Sequence, residues 1–338
     1  MMVNEPVDVS VLIPTLDEAE HIERTIDLLA EQHFEGGLEF IFIDGGSVDR
    51  TREILRAAAR RDPRVRVHEN PNRRTPDALN IGLEHARGEY VARVDAHSLP
   101  PLDYLARGVD RLRRGDVAWV SGPQLASGSG KWSSRTALAL STRLGIGGAA
   151  FRAAGEERRV DTGFLGVWRR RTLLDHRGWD VGWPINQDSE LAARFRAAGQ
   201  EIVCVPEMAV MYVPRDSLRA LARQYWRYGQ YRAKTCRAHP QSMRRSHVLP
   251  PALVVAAAVA LAPAHPARPA RAGLVVYVVA LLATALSCLG RARPRAALSV
   301  PLILVTMHFA WGAGFILGSA RFGPPVAALA SLARLRRP

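Results

Sequence analysis

The chain has 338 residues, and its 46 Lys and Arg against 32 Asp and Glu give a formal net charge of +14. It has no zinc-finger spacing, recognition-helix motif or basic–aromatic RNA signature, so this charge does not indicate nucleic-acid binding. The three cysteines, Cys204, Cys236 and Cys288, lie outside any CxxC pattern, which is typical of buried apolar residues in a reducing cytoplasm. The length fits one domain of about 240 residues followed by a further region.

Strand and helix patterns alternate through the first part of the chain. Apolar strand patterns occur at 9–13, 39–43, 65–68 and 90–94, and helical patterns lie between them at 18–32, 51–61 and 76–86. Pro76 stands in the first turn of the third helix, where a missing N–H costs little. This alternation predicts βαβ units and a parallel α/β sheet.

Polar clusters follow three of the predicted strands, at 15–18, 44–49 and 95–98. Ligands of open α/β sheets bind beyond the carboxyl ends of the strands, and parallel strands place those ends at one edge. The three clusters therefore predict one binding site. For Asp44 and Asp49, which bracket a Gly-Gly turn, ordinary turn chemistry is the alternative.

The middle of the chain has a less regular pattern. Residues 119–185 are rich in glycine, and 127–130 is typical of a flexible loop. Beyond this stretch we predict a helix at 188–198 that Gly199 ends, and a strand at 201–206. A helix rich in Arg, Tyr and Trp follows at 217–237, and a polar linker follows it at 239–245.

Three apolar segments close the chain, at 248–264, 273–289 and 296–319. A helix needs about 20 residues to cross a 30 Å hydrocarbon core, so the third is long enough and the second is near the lower limit. The first contains three prolines, and a re-entrant or interfacial segment is its alternative. Three crossings would place the arginines at 334–337 outside, and two would export those at 291–295, so the number of crossings stays open.

Two groups of residues offer chemistry. Asp95 and His97 stand one residue apart after a strand, and a carboxylate with an imidazole suits Mn²⁺, whereas Mg²⁺ prefers oxygen. The alternative is a strand-end Asp that accepts backbone N–H groups beside an exposed His. Asp188 is either a general base or a helix N-cap, and the helix N-terminus would lower its basicity.

The predicted helix at 217–237 contains Gln224, Arg227 and Tyr228. One interpretation is a basic amphipathic helix on the membrane surface. The other is an arginine that meets a diphosphate while aromatic rings stack on a sugar.

Five motifs in order resemble those of glycosyltransferase family 2. They are Ile13-Pro-Thr-Leu-Asp-Glu18, Asp44-Gly-Gly-Ser-Val-Asp-Arg-Thr51, Asp95-Ala-His97, Asn186-Gln-Asp-Ser-Glu-Leu191 and Gln224-Tyr-Trp-Arg227-Tyr228. Within that family the chain is most similar to membrane-anchored glucosyltransferases of the succinoglycan type. The resemblance extends over about residues 8–250.

The resemblance implies a GT-A fold, which is a Rossmann-like nucleotide-sugar-binding domain, together with an inverting mechanism and a divalent cation. It assigns Pro14, Thr15, Glu18, Asp44 and Asp95 to the nucleotide, Asp95 and His97 to the metal, Asp188 to the catalytic base, and Gln224, Arg227 and Tyr228 to the acceptor and diphosphate. His97 stands where the family has a second Asp, Gln187 where Glu is usual, and Tyr228 where Trp is commoner. With His97 in the set, we expect Mn²⁺ rather than Mg²⁺.

We therefore expect a cytoplasmic GT-A glycosyltransferase domain at 1–245, a membrane region with two or three transmembrane helices at 246–320, and a basic tail at 321–338. The enzyme would be a multi-pass protein of the inner or plasma membrane, with membrane lipids among its partners. It would transfer a sugar, expected to be glucose, from a UDP-sugar to a hydroxyl of a glycan or lipid-linked oligosaccharide in cell-surface polysaccharide synthesis.

Two alternatives remain. A polyprenyl-phosphate sugar synthase has a phosphate acceptor and needs little base, and the motif at 224–228 argues against it. A non-catalytic membrane scaffold that keeps nucleotide-sugar binding belongs to another class of protein, and the presence of Asp188 argues against it.

Overall fold

The computed structural model describes residues 6–147, 155–263 and 267–334. Contacts divide the chain into two compact units: the first comprises Met1–Leu125 and Ala150–Tyr212, and the second comprises Ala126–Ala149 and Val213–Pro338. The Arg-rich helix predicted at 217–237 thus belongs to the same unit as the apolar segments. The compact units divide the chain at other positions than residue 245. A boundary between a catalytic domain and a membrane region after residue 245 stays a prediction.

The elements have the following bounds in chain order. The strands are β1 (Val7–Thr15), β2 (Gly37–Asp44), β3 (Val65–Glu69), β4 (Tyr90–Arg93), β5 (Trp119–Ser121), β6 (Gln124–Ala126), β7 (Arg158–Arg159), β8 (Gly166–Arg169), β9 (Ile202–Cys204) and β10 (Val210–Tyr212). The helices of the first unit are α1 (Ile22–Ala30), α2 (Thr51–Arg61), α3 (Thr75–His85), α4 (Tyr104–Arg113), α7 (Arg170–Asp175) and α8 (Gln187–Ala197). Those of the second unit are α5 (Lys131–Leu140), α6 (Arg143–Ile146), α9 (Leu218–Ala238), α10 (Leu249–Ala260), α11 (Ala267–Leu289), α12 (Pro294–Ala297), α13 (Val300–Phe322) and α14 (Val326–Arg334).

Eight strands of the first unit form one sheet in the order β3-β2-β1-β4-β8-β5-β9-β7. The first four run parallel, as the alternation predicts. Thr15 pairs with Asp44, and Leu12 pairs with Arg93, so β1, β2 and β4 end at the same edge. β8 lies antiparallel between β4 and β5, which makes the sheet mixed.

Successive residues of the strands alternate between two apolar cores, one on each face of the sheet. Val11 and Ile13 of β1 belong to one core, and Leu12 between them belongs to the other. This is the two-residue period of a strand that is buried on both faces. The helices pack over both faces and hold the strand ends in fixed positions.

The first helix starts later than its pattern predicts, at Ile22 rather than at residue 18. Asp17 has a left-handed backbone (φ 53°), which no regular right-handed helix contains. The N–H groups of Glu18 and Ala19 donate to side chains of Thr51 and Asp49 at 2.8 and 3.0 Å. Residues 18–21 are therefore a loop fastened to the start of α2.

In the second unit, α9 packs closely along α13. A side chain at Gly314 would place its Cβ 2.1 Å from the carbonyl oxygen of Trp226, and one at Gly229 would place it 2.0 Å from that of Trp311. The glycines thus let the two backbones touch. Ser217 caps the start of α9, as its side chain accepts the N–H of Ala220 at 3.2 Å.

Two helices, α11 and the stretch Pro294–Phe322 that ends with α13, are long and apolar enough to cross a membrane. The first predicted apolar segment forms α10, whose 12 residues fall short of the roughly 20 that a span requires. By length and composition, at most two helices among the described residues could cross a membrane. That they do cross one stays a prediction. Residue 264 and the tail arginines Arg336 and Arg337 lie outside the described residues.

Candidate active site

The first unit has an open cleft at the carboxyl edge of its parallel strands. It contains about 550 Å³, counting the space open to solvent at its mouth. Five residues predicted for the nucleotide and the metal line it together: Pro14, Thr15, Glu18, Asp95 and His97. The strand ends of β1 and β4 bring these residues to one place, as the sheet argument predicts.

Asp95 lies two residues after the end of β4, and its carboxylate is held by Arg93, the last residue of that strand. Its Oδ1 accepts from Nε of Arg93 at 2.9 Å, and a fifth of its side chain is exposed. The partner of Oδ1 is thus an arginine side chain, and the metal role of Asp95 stays a prediction.

Arg93 is the last residue of β4 and is buried, with a side-chain exposure of 5%. Its Nη1 donates to Oδ1 of Asp188 at 2.7 Å, so one guanidinium binds two carboxylates from distant motifs. Burial acts to lower the pKa of Arg93, but Asp188 and Asp95 raise it, so the group is charged.

Asp188 is the second residue of α8 and not its N-cap, which is Asn186. Asn186 has a left-handed backbone (φ 61°), an uncommon conformation for a residue other than glycine. The N-cap interpretation of Asp188 is thus wrong. Burial raises the pKa of Asp188, the ion pair with Arg93 lowers it, and the charge of Asp95 raises it, with a net rise. The expected loss of basicity at the helix N-terminus is outweighed by burial.

His97 and Glu18 form a pair across the mouth of the cleft. Nδ1 of His97 lies 2.9 Å from Oε1 of Glu18, and the imidazole is 43% exposed. A histidine that binds a metal commonly donates the N–H of its other ring nitrogen to a carboxylate, and this hydrogen bond orients the ring. The contact between Glu18 and His97 could orient the imidazole, and the sequence did not indicate it.

The donor set fits a divalent cation that keeps part of its shell for a substrate. Asp95 offers an oxygen and His97 a nitrogen at the cleft, and a cation bound by one or two protein groups completes its shell with phosphate oxygens and water. Among the described residues, no group of three or more His, Cys, Asp or Glu side chains is arranged to hold a metal alone. The protein would thus share the ion with a bound phosphate.

Asp44 lies at the end of β2 and is 2% exposed. Its carboxylate accepts the N–H groups of Gly46 and Ser47 at 3.1 and 3.2 Å, and the hydroxyl of Ser47. Its neighbours Ile43 and Gly45 line the cleft. The turn chemistry weighed as an alternative is present, and contact of Asp44 with a nucleotide stays a prediction.

Similarity to known proteins identifies the family. The chain is 33% identical over 310 residues to the succinoglycan biosynthesis protein ExoA of Rhizobium meliloti (strain 1021). The aligned region covers 90% of this chain and 93% of that protein. The chain belongs to glycosyltransferase family 2. The family model, Glycosyl transferase family 2, matches residues 10–174, which include most of β1, all of β2 to β8 and the cleft.

Two further proteins are similar to this family member. It is 32% identical to an undecaprenyl-phosphate 4-deoxy-4-formamido-L-arabinose transferase of Pseudomonas aeruginosa (strain LESB58), over 42% of this chain and 44% of that one. A solved mannosyltransferase, PcManGT from Pyrobaculum calidifontis in complex with GDP-Man and Mn²⁺, superposes with a TM-score of 0.59. The two sequences are 24% identical, and the superposition covers 94% of this chain and 88% of the mannosyltransferase chain. The predicted GT-A fold is confirmed.

The family motif at 224–228 lies on α9, in the second unit. Nε2 of Gln224 donates to the hydroxyl of Tyr228 at 2.9 Å, and the ring of Tyr228 lies 5.7 Å from that of Tyr225. Arg227 is exposed. Their contact with acceptor and diphosphate stays a prediction.

Sequence reasoning missed one amide and three arginines that line the cleft: Asn70, Arg73, Arg74 and Arg93. The first three follow β3, the one parallel strand whose end was not searched for polar residues. Asn70 is 4% exposed, and its Oδ1 has no hydrogen-bond partner within the described part of the chain. A buried acceptor of this kind suits a ligand N–H. Applying the strand-end rule to β3 would have found this group.

Proposed function

We propose that this family member is an inverting, metal-dependent transferase that moves a sugar from a UDP-sugar to a hydroxyl of a glycan or lipid-linked oligosaccharide in cell-surface polysaccharide synthesis. One observation carries the proposal: a half-buried carboxylate, Asp188, is fixed beside the Asp95 cleft by a shared arginine. A base adjoining a phosphate-and-cation site is the arrangement that an attacking hydroxyl requires.

Asp188 would take the proton of the acceptor hydroxyl as that oxygen attacks the anomeric carbon. Its burial raises its pKa, which makes the carboxylate a stronger base than an exposed Asp. A positioned general base contributes about 10²–10⁴-fold to rate. Attack on the face opposite the departing diphosphate inverts the anomeric configuration.

Asp95 and His97 would hold the cation, with Glu18 orienting His97. Bound there, the cation would neutralise charge on the diphosphate as it leaves, and Mn²⁺ fits the mixed oxygen and nitrogen donors. Arg73 and Arg74 line the same cleft and add positive charge for phosphate oxygens.

The nucleotide would lie against the ends of β1, β2 and β3. Pro14 and Thr15 form one wall, and Asp44 supports the turn behind it. Asn70 presents an acceptor that an N–H of a base such as uracil would satisfy. Uracil and guanine both carry such an N–H, so this acceptor fits either base. A UDP-sugar as donor and glucose as its sugar rest on the resemblance to glucosyltransferases of the succinoglycan type.

The acceptor would reach the enzyme at a membrane surface. Gln224, Arg227 and Tyr228 would meet the acceptor and diphosphate from α9, and α11 and α13 would anchor the protein in the inner or plasma membrane. The catalytic domain would then work on its cytoplasmic side. The arginines of α9 suit anionic lipid headgroups.

A polyprenyl-phosphate sugar synthase is the second candidate, because the Pseudomonas aeruginosa relative bears such a name. Its acceptor is a phosphate that is already ionised and needs no base. The half-buried Asp188, whose pKa is raised by burial, favours the hydroxyl acceptor instead.

A donor screen tests the proposal. Purified full-length protein with Mn²⁺ and a membrane lipid extract is given labelled UDP-glucose, UDP-galactose, UDP-N-acetylglucosamine and GDP-mannose. We expect transfer from a UDP-sugar, with a product whose anomeric configuration by NMR is opposite to that of the donor. Transfer only to polyprenyl phosphate would support the second candidate, and no transfer from any donor would contradict both.

A further inference from the structure

The cleft is lined by one buried arginine, and none of the five sequence motifs includes it. Arg93 ends β4 two residues before Asp95, and its side chain is 5% exposed. Its guanidinium donates through Nε to Asp95 at 2.9 Å and through Nη1 to Asp188 at 2.7 Å. The two carboxylates come from motifs that lie far apart in the chain.

We propose that Arg93 is a positioning residue that couples the cation side of the site to the base, so that Asp95 and Asp188 act as one unit. The inference rests on the proposed function for the roles of these two carboxylates. Arg93 itself touches neither donor nor acceptor in this scheme, and it acts through the carboxylates that it holds.

The first argument is geometric. A guanidinium is planar and presents its donors in a rigid fork, so two carboxylates bound to different nitrogens have a fixed separation and orientation. Arg93 engages Oδ1 of each carboxylate, which fixes the direction of each Oδ2. An ammonium is a compact point charge and cannot impose this geometry on two partners.

The second argument is electrostatic. Asp95 and Asp188 each have a side-chain exposure of 20%, and two poorly hydrated carboxylates near one another repel. Arg93 offsets that repulsion from a position that water hardly reaches. Because β4 is a central strand, the arginine is also held by the sheet itself, between β1 and β8.

Arg111 provides a matched control. It is also buried, with a side-chain exposure of 9%, and it also joins two carboxylates, those of Asp116 at 2.5 Å and Glu157 at 2.8 Å. It lies on α4 and does not line the cleft. A loss that merely reflects a broken ion triad around a buried arginine would appear in both variants.

The test compares Arg93→Lys and Arg111→Lys, which both keep the positive charge. Mn²⁺ affinity in the presence of UDP is measured by the loss of the free-ion EPR signal, and kcat and KM are measured with UDP-glucose. We expect Arg93→Lys to weaken Mn²⁺ binding about 10–100-fold. We expect its kcat to fall about 100-fold, because small misplacements of reacting groups cost that much, while KM for the donor changes less than about threefold.

Arg111→Lys should leave kcat and Mn²⁺ affinity unchanged, while melting temperatures show whether the two variants are equally folded. Wild-type kcat and Mn²⁺ affinity in Arg93→Lys would overturn the inference, as would equal losses in Arg111→Lys. A wild-type protein that binds Mn²⁺ with UDP but transfers no sugar would overturn the proposed function, and the Mn²⁺ titration of Arg93→Lys would still decide the role of this arginine. A protein that binds no Mn²⁺ would overturn both.

Discussion

The imidazole of His97 sets the expected choice of cation. It stands where the family has a carboxylate, and its ring is paired with Glu18 at 2.9 Å. A nitrogen donor favours Mn²⁺ over Mg²⁺, and a second carboxylate would favour the harder ion. The identity of one side chain therefore has a measurable consequence for metal preference.

We predict that His97→Asp raises the ratio of activity with Mg²⁺ to activity with Mn²⁺. Total activity should fall, because the new carboxylate lies beside Glu18 and like charges repel. His85→Asp, at the end of α3 and outside the cleft, should leave the ratio unchanged. Transfer rates at matched concentrations of Mg²⁺ and Mn²⁺ measure this ratio. Full activity of the wild-type protein in excess chelator would show that transfer does not require a metal.

Sequence alone located the residues whose positions follow from strand ends and family motifs. The sheet argument places Thr15, Glu18, Asp95 and His97 together, the family motif adds Pro14, and the structure gathers all five in one cleft. The contact of Arg93 with Asp188 could not be predicted, because it joins β4 to a helix residue 95 positions later, and no local pattern encodes that distance. The pairing of Glu18 with His97 has the same cause.

At the scale of elements, local periodicity predicted most of the parallel half of the sheet. The helix expected at 51–61 is α2 with the same ends. β8 was missed because four residues in a glycine-rich stretch give no periodic signal, and its antiparallel insertion between β4 and β5 depends on partners distant in sequence. The start of α1 was misplaced because Asp17 and its loop are fixed by α2.

Glu39 of β2 is a buried carboxylate that joins the parallel strands to the turn before β4. It accepts from Ser10, Arg66 and Arg87, and these hydrogen bonds together outweigh burial and lower its pKa below 4.5. A depressed pKa means that its stabilisation is complete above pH 4.5 and is lost as the pH falls through the pKa of the folded state.

We predict that Glu39→Gln lowers the free energy of unfolding by about 1.5–3 kcal/mol at pH 7, the range for hydrogen bonds to charged groups. The difference from wild type should shrink as the pH falls below 4.5. The control is Glu89→Gln, whose exposed pair with Arg169 should contribute little. Thermal melts of the full-length protein across pH measure both, and a difference that grows in acid would contradict the assignment.

The glycine contacts of α9 with α13 predict a steric effect. Gly314→Ala would place a Cβ 2.1 Å from the carbonyl oxygen of Trp226, so the helices must separate. Overpacking of this kind costs about 1–3 kcal/mol. Gly273→Ala on α11, where nothing lies within 4 Å of the new Cβ, is the matched control and should be neutral or stabilising. Equal melting temperatures for both variants in detergent would contradict the described packing.

At the scale of the whole molecule, charge and apolar surface divide along the chain. After Asp216 the sequence contains seventeen Lys and Arg residues and no Asp or Glu. α11 exposes large apolar side chains, among them Val275, Val276 and Leu286 at 62%, 68% and 66%. Exposed apolar surface beside unopposed basic charge is typical of contact with an anionic membrane.

We predict that the full-length protein stays in the membrane fraction after washing with high salt or carbonate, and that detergent releases it. Electrostatic attachment alone would be screened by salt, whereas burial of apolar helices is not. Fractionation followed by immunoblotting measures this. Release by salt or carbonate without detergent would show that α11 and α13 do not span.

The central claim is that Asp188 is the base of a sugar transfer, and one comparison tests it most directly. Full-length wild-type protein and Asp188→Asn are compared in transfer from labelled UDP-glucose to a membrane lipid extract, with donor binding followed in parallel. Loss of the base should reduce transfer by about 10²–10⁴-fold, while UDP-glucose binding stays close to wild type because the cleft residues are intact. Wild-type turnover by Asp188→Asn would contradict the account.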